Sequence, residues 1–328
     1  MKPVYQTLRR DRTMHIYDFI RLLARAPTYA KRVAWVAASL AMLQACSQEA
    51  PPNPILYNSQ PVAVDKRTHY VFLVHPLFNP QLLQQKFEPL MQYLDRQIPD
   101  SAFDLETAKD YADFESKLRA RKADFALPNP YHATLARDWG YHVIAKMGDD
   151  SQFKGIFLVR KDSNIKTPSD LKGKVVAYPA ATALAAAMMP QLYLQKHGVD
   201  VQKDIQNIYV GTHNSSIMNA YLKQSAASAT WPTAWKAFQQ ANPTEAAQLR
   251  VIWETPTLIQ NAIIVRNALA PQVDAQVQRL LTTLQDSEAG RSLLAGIDTP
   301  NFVSATDQDF EVVRRFMAQY NTAVKKQP

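Results

Sequence analysis

The chain has one cysteine, Cys46, and only eight glycines among its 328 residues. Without a second cysteine there is no intrachain disulfide or thiolate metal site, so apolar burial must hold the fold. The glycines form neither GxGxxG nor GxxxxGK, which excludes the common nucleotide-binding loops, and GxSxG and HExxH are absent too. The seven histidines are scattered without metal-ligand spacing. We therefore predict no metal and no cofactor.

Long hydrophobic runs are also missing. The apolar run at residues 33–42 is about half of the roughly 20 residues that a membrane-spanning helix needs. Residues 175–195 form a later charge-free stretch of that length, but two prolines and several polar residues interrupt its apolar character. We therefore expect the rest of the chain to lie outside the bilayer.

A basic pair, Lys31-Arg32, precedes the run, and Leu43-Gln44-Ala45-Cys46 follows it. This order is typical of a bacterial lipoprotein export signal, in which the cysteine becomes the first mature residue and its thiol carries lipid. The alternative is a buried structural cysteine, because free cysteine usually behaves as a small hydrophobic residue. We predict a signal peptide over residues 1–45 and lipidation at Cys46.

Two further expectations concern this end of the chain. The segment before the basic pair is long for such a signal, so translation starts at either Met1 or Met14. Ser47, directly after the cysteine, favours the outer membrane. We therefore expect a periplasm-facing protein anchored by lipid.

The charge distribution argues against a nucleic-acid partner. The net charge is +8, but residues 1–45 hold eight basic and two acidic residues, which leaves 29 basic against 27 acidic in the remainder. A sequence pI near 9.4 would otherwise suggest nucleic-acid binding. The excess belongs mostly to the export segment, so we predict no nucleic-acid binding.

Residues 46–66 are polar and rich in proline, which is typical of a flexible tether. About 280 residues follow the signal, more than the usual single domain of roughly 100–150, so we expect two lobes. Strand-like and helical segments then alternate, which predicts an α/β fold with mainly parallel sheets. Predicted strands are 70–74, 103–107, 123–127, 141–147, 155–160, 174–178, 208–210, 226–231, 249–254 and 261–266. Predicted helices are 80–97, 110–121, 131–138, 167–173, 180–197 and 215–222, with a mostly helical tail over 271–324.

Polar or aromatic residues follow several predicted strands, where helices begin. In parallel sheets ligands bind beyond the carboxyl ends of the strands, and helix N-termini there offer free N–H groups that suit an anion. The alternative is that these side chains are plain helix caps or core aromatics. The candidate ligand-binding residues at these junctions are Tyr111, Asn129, Tyr131, Thr182, Ala183, His213, Asn214 and Ser215.

Taken in order, seven segments resemble the phosphate, phosphite and phosphonate-binding proteins of ABC importers, in a lipoprotein form. The resemblance extends from about residue 71 to about residue 265. The segments are HPLFNP (75–80), FEPLMQYL (87–94), DY (110–111), ADFALPNPY (123–131), IFLVRKDS (156–163), DLKGK (170–174) and GTH (211–213).

The resemblance implies a type II periplasmic binding fold, with two α/β lobes joined by two crossover strands near 155–161 and 253–262. Lobe 1 would hold residues 67–157 and 257–328, and lobe 2 residues 158–256. It also implies capture of a small oxyanion in the cleft and its delivery to an ABC permease. We expect the protein to be a monomer.

The family holds its anion with tyrosines from one lobe and with a Ser-Thr-Ser helix start and a His-Asp pair from the other. Tyr111 and Tyr131 match the tyrosines, Thr182 the central threonine, and His213 the histidine. This chain departs from the pattern at Ala181, Ala183 and Asn214, and the acidic residue often found near Ala226 is missing. An amine-free anion therefore fits better, or a larger and more apolar one, given Met188, Trp231 and Trp235.

Two other functions remain open at this stage. The same fold serves as a ligand sensor for a histidine kinase or a chemoreceptor, and the sequence does not separate that role from transport. An enzyme would need a nucleophile or an acid–base pair in the cleft, for which His213 with Glu254 is the candidate. Glu254 is also included among the ligand-binding candidates. We predict a binding protein and no enzymatic activity.

Overall fold

A computed structural model describes residues 65–325. The signal peptide, Cys46 and most of the tether lie outside these residues. The strands are β1 (Thr68–Val74), β2 (Ser101–Thr107), β3 (Phe125–Leu127), β4 (Tyr141–Met147), β5 (Ile156–Arg160), β6 (Val175–Tyr178), β7 (Gln206–Tyr209), β8 (Ala227–Thr230), β9 (Leu249–Glu254), β10 (Ala262–Arg266) and β11 (Phe302–Ser304). The α-helices are α1 (Pro80–Gln97), α2 (Tyr111–Arg119), α3 (Pro130–Ala136), α4 (Met189–Lys196), α5 (His213–Tyr221), α6 (Pro232–Ala241), α7 (Pro243–Ala246), α8 (Pro271–Thr282), α9 (Glu288–Gly296) and α10 (Glu311–Tyr320). Four short 3₁₀ turns (Arg137–Trp139, Asp150–Gln152, Pro168–Leu171, Leu284–Asp286) and two π-helical turns (Leu184–Met188, Asn321–Lys325) complete the described elements.

The strands form two sheets, in the orders β11-β4-β10-β3-β1-β2 and β7-β6-β8-β5-β9. The prediction of mainly parallel sheets is wrong, because only four of the nine strand pairs between residues 65 and 325 are parallel. The parallel pairs come from strand–helix–strand connections. β5 and β10 instead enter directly from the other sheet, so no helical crossover gives them the parallel direction.

Residues 148–155 connect β4 to β5, and residues 255–261 connect β9 to β10. These two crossing segments bond to each other. Thr255 N–H donates to the carbonyl of Gly155 at 2.8 Å, Gly155 N–H donates to Thr255 Oγ1 at 2.9 Å, and Leu258 N–H donates to the carbonyl of Phe153 at 2.9 Å. The first crossing comes earlier than the predicted 155–161, because all of β5 pairs within the second sheet.

Helix α1 shows why these elements form where they do. Asn79 caps it by accepting from Leu82 N–H at 2.9 Å, and Pro80 occupies the first turn, where its missing N–H costs nothing. Its apolar side chains recur on one face, which packs on the first sheet, and burying each contributes about 1.5–3 kcal/mol. The buried residues of this face are Leu83, Phe87, Leu90, Met91 and Leu94.

Three regions differ from the predicted elements. Helices α6 and α7 form over a stretch for which no helix is predicted, and β11 lies in the tail predicted as helical. The helix predicted from residue 180 begins at Leu184 with a π-helical turn before α4. Pro190 lies in the first turn of α4, directly after the π-helical turn. A proline supplies no backbone N–H, and the wider π-helical turn before it accommodates that missing donor.

Between residues 65 and 325 no helix combines the length and the apolar character that crossing a membrane requires.

Candidate functional site

A small cavity lies between the lobes, where the first strands end and several helices begin. The space open to the centre of a water molecule is about 10 Å³, which is about one water. Both lobes and both crossing segments contribute residues. The lining residues are His75, Leu77, Tyr111, Asn129, Phe153, Ala183, Leu184, Ala185, Ala186, His213, Trp231 and Asn261.

Tyr111 and His213 meet across this cavity. Tyr111 begins α2, capped by Asp110, and His213 begins α5, capped by Thr212. The Tyr111 hydroxyl lies 3.2 Å from His213 Nε2, and His213 Nδ1 lies 3.0 Å from Thr230 Oγ1. Burial lowers the pKa of His213 to about 3 and raises the pKa of Tyr111. Two neutral groups therefore share a hydrogen bond between the lobes at neutral pH.

Asn129 makes a second contact between the lobes, because its Nδ2 donates to the carbonyl of Thr182 at 3.0 Å. Its Oδ1 accepts from His132 N–H at 2.9 Å as the cap of α3. His132 is fully buried, with Nδ1 3.1 Å from that oxygen and Nε2 3.6 Å from a Glu115 carboxylate oxygen. The amide is thus held with its N–H₂ group toward the other lobe.

His75 follows β1 at the same edge of the sheet. Its Nδ1 donates to the carbonyl of Leu127 at 2.7 Å, and its ring packs edge-on against Tyr111 with centroids 6.2 Å apart. Burial lowers its pKa to about 3, so Nε2 is free of a proton. Sequence reasoning did not select His75 as a site residue. The available signal was its position directly after the first buried strand.

Two lining residues carry buried polar atoms without a partner among the described residues, Trp231 Nε1 and Asn261 Oδ1. Such an atom typically costs about 1–3 kcal/mol when nothing pairs with it. The indole N–H suits an anionic oxygen, and the amide oxygen suits a protonated one. Neither residue is among the predicted ligand-binding residues. The sequence suggests Trp231, directly after β8, only as an apolar neighbour of the ligand, and Asn261 belongs to a crossing segment.

The helix start at Ala183 adds main-chain donors. The first bond in this turn runs from Ala187 N–H to the carbonyl of Ala183 at 2.7 Å, so the N–H groups of Leu184, Ala185 and Ala186 precede the helical ladder. They also carry the positive end of the helix dipole. Gly155 allows this approach, because a Cβ there would lie 2.4 Å from the carbonyl oxygen of Ala185.

The cavity contains no Lys, Arg, Asp or Glu side chain. Its polar groups are two histidines, a tyrosine, a tryptophan, two asparagines and main-chain amides. Trp231 Nε1 and the main-chain N–H groups at the helix start are the donors without a partner, and Tyr111 and Asn129 would add theirs to a small oxyanion once the lobes are far enough apart to admit more than one water. Within the described part of the chain, no group of three or more His, Cys, Asp and Glu residues is arranged to hold a metal ion.

The structure brings four predicted site residues together, Tyr111, Asn129, Ala183 and His213. The other predicted residues do not line the cavity, and each has a place elsewhere. Thr182 contributes its carbonyl, Tyr131 is half-buried beside His132, and Asn214 is exposed.

The last two predicted residues have other partners. Ser215 Oγ accepts from Thr212 Oγ1 at 2.8 Å within the cap of α5. Glu254 is exposed and forms an ion pair with Lys154 at 2.6 Å.

Residues 72–310 match the family model described as ABC transporter, phosphonate, periplasmic substrate-binding protein. The probable ABC transporter phosphite-binding protein PhnD1 of Prochlorococcus marinus is 26% identical over 125 residues, which are 36% of this chain and 42% of that protein. The chain thus matches less than half the length of this curated relative.

Solved structures share the fold. A binding-protein component of an ABC phosphonate transporter from Pseudomonas aeruginosa superposes with a TM-score of 0.73 at 19% identity, covering 78% of this chain and 88% of that one. PhnD1 from Prochlorococcus marinus in complex with methylphosphonate gives 0.70 at 18% identity, covering 78% and 99%. The expectation of a type II periplasmic binding fold is confirmed.

Proposed function

Because the chain belongs to the family of periplasmic substrate-binding proteins of phosphonate ABC transporters, we propose that it captures a small phosphorus oxyanion between its lobes. This family consists of binding proteins rather than enzymes. One observation carries the ligand proposal. Tyr111, Asn129 and His213 converge with a helix start on a buried cavity that has donors and no charged side chain.

The proposed cycle uses these groups in sequence. The open lobes admit the anion, and donors from both sides replace its hydration shell. Closure then brings Tyr111 and Asn129 toward His213 and the helix start of lobe 2 with the anion between them, in place of the direct Tyr111–His213 and Asn129–Thr182 contacts of this structure. In this proposal lobe 1 comprises residues 67–157 and 257–328, and lobe 2 residues 158–256.

Ligand identity follows from what the site lacks. Ala183 supplies no hydroxyl, and no carboxylate among the lining residues is placed to meet an ammonium group. A ligand amine would lose its hydration without gaining a counter-ion, which is costly in a buried site. We therefore include phosphonate, phosphite and phosphate in the proposal and expect 2-aminoethylphosphonate to bind more weakly.

The remaining parts concern location and partner. We propose that Cys46 carries the lipid that anchors the chain to a membrane, with its body in the periplasm, and that the chain works as a monomer. The closed form would then be recognised by an ABC permease. The family favours that partner over a sensor kinase, since its members are named for ABC transport.

Calorimetry on the full chain with methylphosphonate, phosphite, phosphate and 2-aminoethylphosphonate tests the ligand class. We expect Tyr111→Phe to weaken binding about tenfold, since a hydrogen bond in such a site contributes about 1–1.5 kcal/mol. Tyr221→Phe, at the far end of the helix that His213 begins, is the matched control and should bind as wild type. A folded chain that binds none of these anions would contradict the proposal.

A further inference from the structure

His132 lies behind Asn129 in lobe 1 and does not itself line the cavity. Asn129 lines the cavity and caps α3, of which His132 is the third residue. Both side chains are buried, and the His132 ring has no exposed surface at all. A buried polar ring so close to a proposed ligand contact needs a reason for being there, and its hydrogen bonds supply one.

Two hydrogen bonds from His132 converge on the amide oxygen of Asn129. The main-chain N–H donates to Oδ1 at 2.9 Å, and ring Nδ1 lies 3.1 Å from the same atom. A plain helix cap needs only the main-chain bond. One bond leaves the amide able to turn about it, whereas two donors from different directions fix its plane. The N–H₂ group then points toward lobe 2, where it donates to the Thr182 carbonyl at 3.0 Å.

This geometry also fixes which ring nitrogen carries a proton. The main-chain N–H is always a donor, so the amide oxygen faces His132, and Nδ1 must donate to it. A neutral ring then has its proton on Nδ1. A doubly protonated ring keeps that proton and adds a donor toward Glu115, whose carboxylate oxygen lies 3.6 Å from Nε2. A neutral ring with its proton on Nε2 would place two acceptors against each other at Asn129.

Aromatic side chains hold the His132 ring in place. Phe114 and Tyr131 pack edge-on against it, with centroids 5.6 and 5.2 Å away, and the ring of Tyr111 lies at 6.1 Å. All of these residues belong to α2 and α3 of lobe 1. The support of Asn129 therefore lies within one lobe and does not depend on how close the other lobe is.

We propose that His132 is a positioning residue for anion binding, because its ring presets the Asn129 amide with the N–H₂ group toward the incoming anion. The inference rests on the proposed function, which counts Asn129 among the donors to the anion. When the lobes part, Asn129 loses its bond to the Thr182 carbonyl, while the bonds from His132 remain. An amide turned the other way would present its oxygen to the anion, so presetting the amide removes an ordering step from binding.

Calorimetry with methylphosphonate on the full chain tests this role in His132→Phe, which keeps an aromatic ring and removes Nδ1. We expect affinity to fall about fivefold, the size of one ordinary hydrogen bond. Tyr141→Phe is the matched control. It also removes one buried hydrogen bond in lobe 1, from the Tyr141 hydroxyl to the carbonyl of Ala123 at 2.9 Å, and Tyr141 does not line the cavity. This variant should bind as wild type.

A double-mutant cycle separates positioning from a general effect on the fold. Asn129→Ser keeps a capping oxygen but has no amide, and we expect it to weaken binding about tenfold. In that background His132→Phe should have no further effect on affinity. NMR of wild type labelled with ¹⁵N-histidine gives a readout that needs no variant, and Nδ1 of His132 should carry a proton.

The outcomes separate the two proposals. If wild type binds methylphosphonate and His132→Phe binds it equally well, the inference is wrong and the proposed function stands. The same holds if His132→Phe weakens binding as much in the Asn129→Ser background as in wild type, or if the ring proton is on Nε2 alone. If wild type binds no phosphonate, phosphite or phosphate, the proposed function fails and this inference fails with it.

Discussion

Buried neutral histidines set the chemistry of this molecule at the scale of single residues. His75 and His213 line the cavity, and burial keeps both rings uncharged near neutral pH. The proposed anion-binding site would therefore depend on dipoles and neutral donors rather than on Lys or Arg. Keeping these histidines neutral also lowers the free energy of unfolding at acidic pH, because the unfolded chain protonates the rings more readily.

This effect predicts a pH dependence of stability. The pKa of each ring is lowered to about 3, so between about pH 6.5 and 3 the unfolded state binds more protons. The free energy of unfolding should therefore fall as the pH drops, by about 2 kcal/mol per histidine from about pH 7 to about pH 5. Burial lowers the pKa of His132 as well, which adds to the same effect. The hydrogen bond with His132 lowers the pKa of Glu115 to about 2, and this shift changes the free energy of unfolding only below about pH 4.5.

Urea unfolding at the two pH values measures this difference in wild type and in His75→Gln. The variant should lose about 2 kcal/mol less than wild type over the same interval. His197→Gln, at an exposed position, should follow wild type. Equal losses in wild type and His75→Gln would contradict the argument.

A glycine predicts a second effect at this scale. In Gly155→Ala the new methyl group would meet the carbonyl oxygen of Ala185 at 2.4 Å and Pro190 at 2.7 Å, and neither can move freely. We expect a loss of about 1–3 kcal/mol, seen as a lower melting temperature. In Gly296→Ala, within α9, nothing lies within 4 Å of the added atom, so this control should melt at or above the wild-type temperature.

At the scale of elements, α1 and α6 are joined through the loop after α9. The Asp298 carboxylate accepts from Lys86 of α1 at 2.6 Å and from Lys236 of α6 at 3.1 Å. Helix α1 packs on the first sheet, and α6 lies in the sequence between β8 and β9, which are both strands of the second sheet. The Lys236 bond thus links the two lobes, and we expect it to favour the closed form.

Lys236→Gln should weaken methylphosphonate binding by up to about fivefold, because an exposed ion pair contributes at most about 1 kcal/mol. The loss should shrink at high salt, which screens such pairs. Lys223→Gln removes an equally exposed lysine whose partner, Asp162, lies in the same lobe, and should leave binding unaltered. A loss that does not respond to salt would exclude this electrostatic origin.

Elements with strong local signals could be predicted from the sequence. Helix α1 has its cap, its first-turn proline and a regular apolar face, and its bounds match the prediction. Three-residue β11 carries too little pattern to distinguish it from the surrounding helices. The start of α4 depends on the approach of Gly155 from another part of the chain, which no local pattern contains.

The residues of the cavity also differ in whether a local sequence pattern predicts them. Tyr111, Asn129 and His213 could be found because polar residues after strands mark the carboxyl edge of a sheet. Asn261 could not, because it reaches the cavity only through the way the two sheets meet. Trp231 is suggested by the sequence for its apolar ring, whereas the structure places its unpartnered indole N–H at the cavity. Thr182 matches the central threonine of the family, whereas in the structure its main-chain carbonyl makes the contact with Asn129.

For the whole molecule, the anchor proposal is open to a direct test. Wild type should sediment with membranes even at high salt, because lipid chains hold it by apolar contact. Cys46→Ser has no thiol to carry lipid and should be recovered in the aqueous periplasmic extract. Labelling with a radioactive fatty acid should mark wild type alone. Equal fractionation of the two proteins would show that the cysteine is not the attachment point.

The hydrogen bonds between the two crossing segments restrict how the two lobes can move relative to each other. The segments bond to each other through Gly155 and Thr255 and again through Phe153 and Leu258. Two strands linked in this way cannot slide independently, so they bend together as one ribbon. We therefore expect opening to be mainly a rotation about that ribbon. One dye-to-dye distance between the lobes would then follow most of the motion of a single molecule in time.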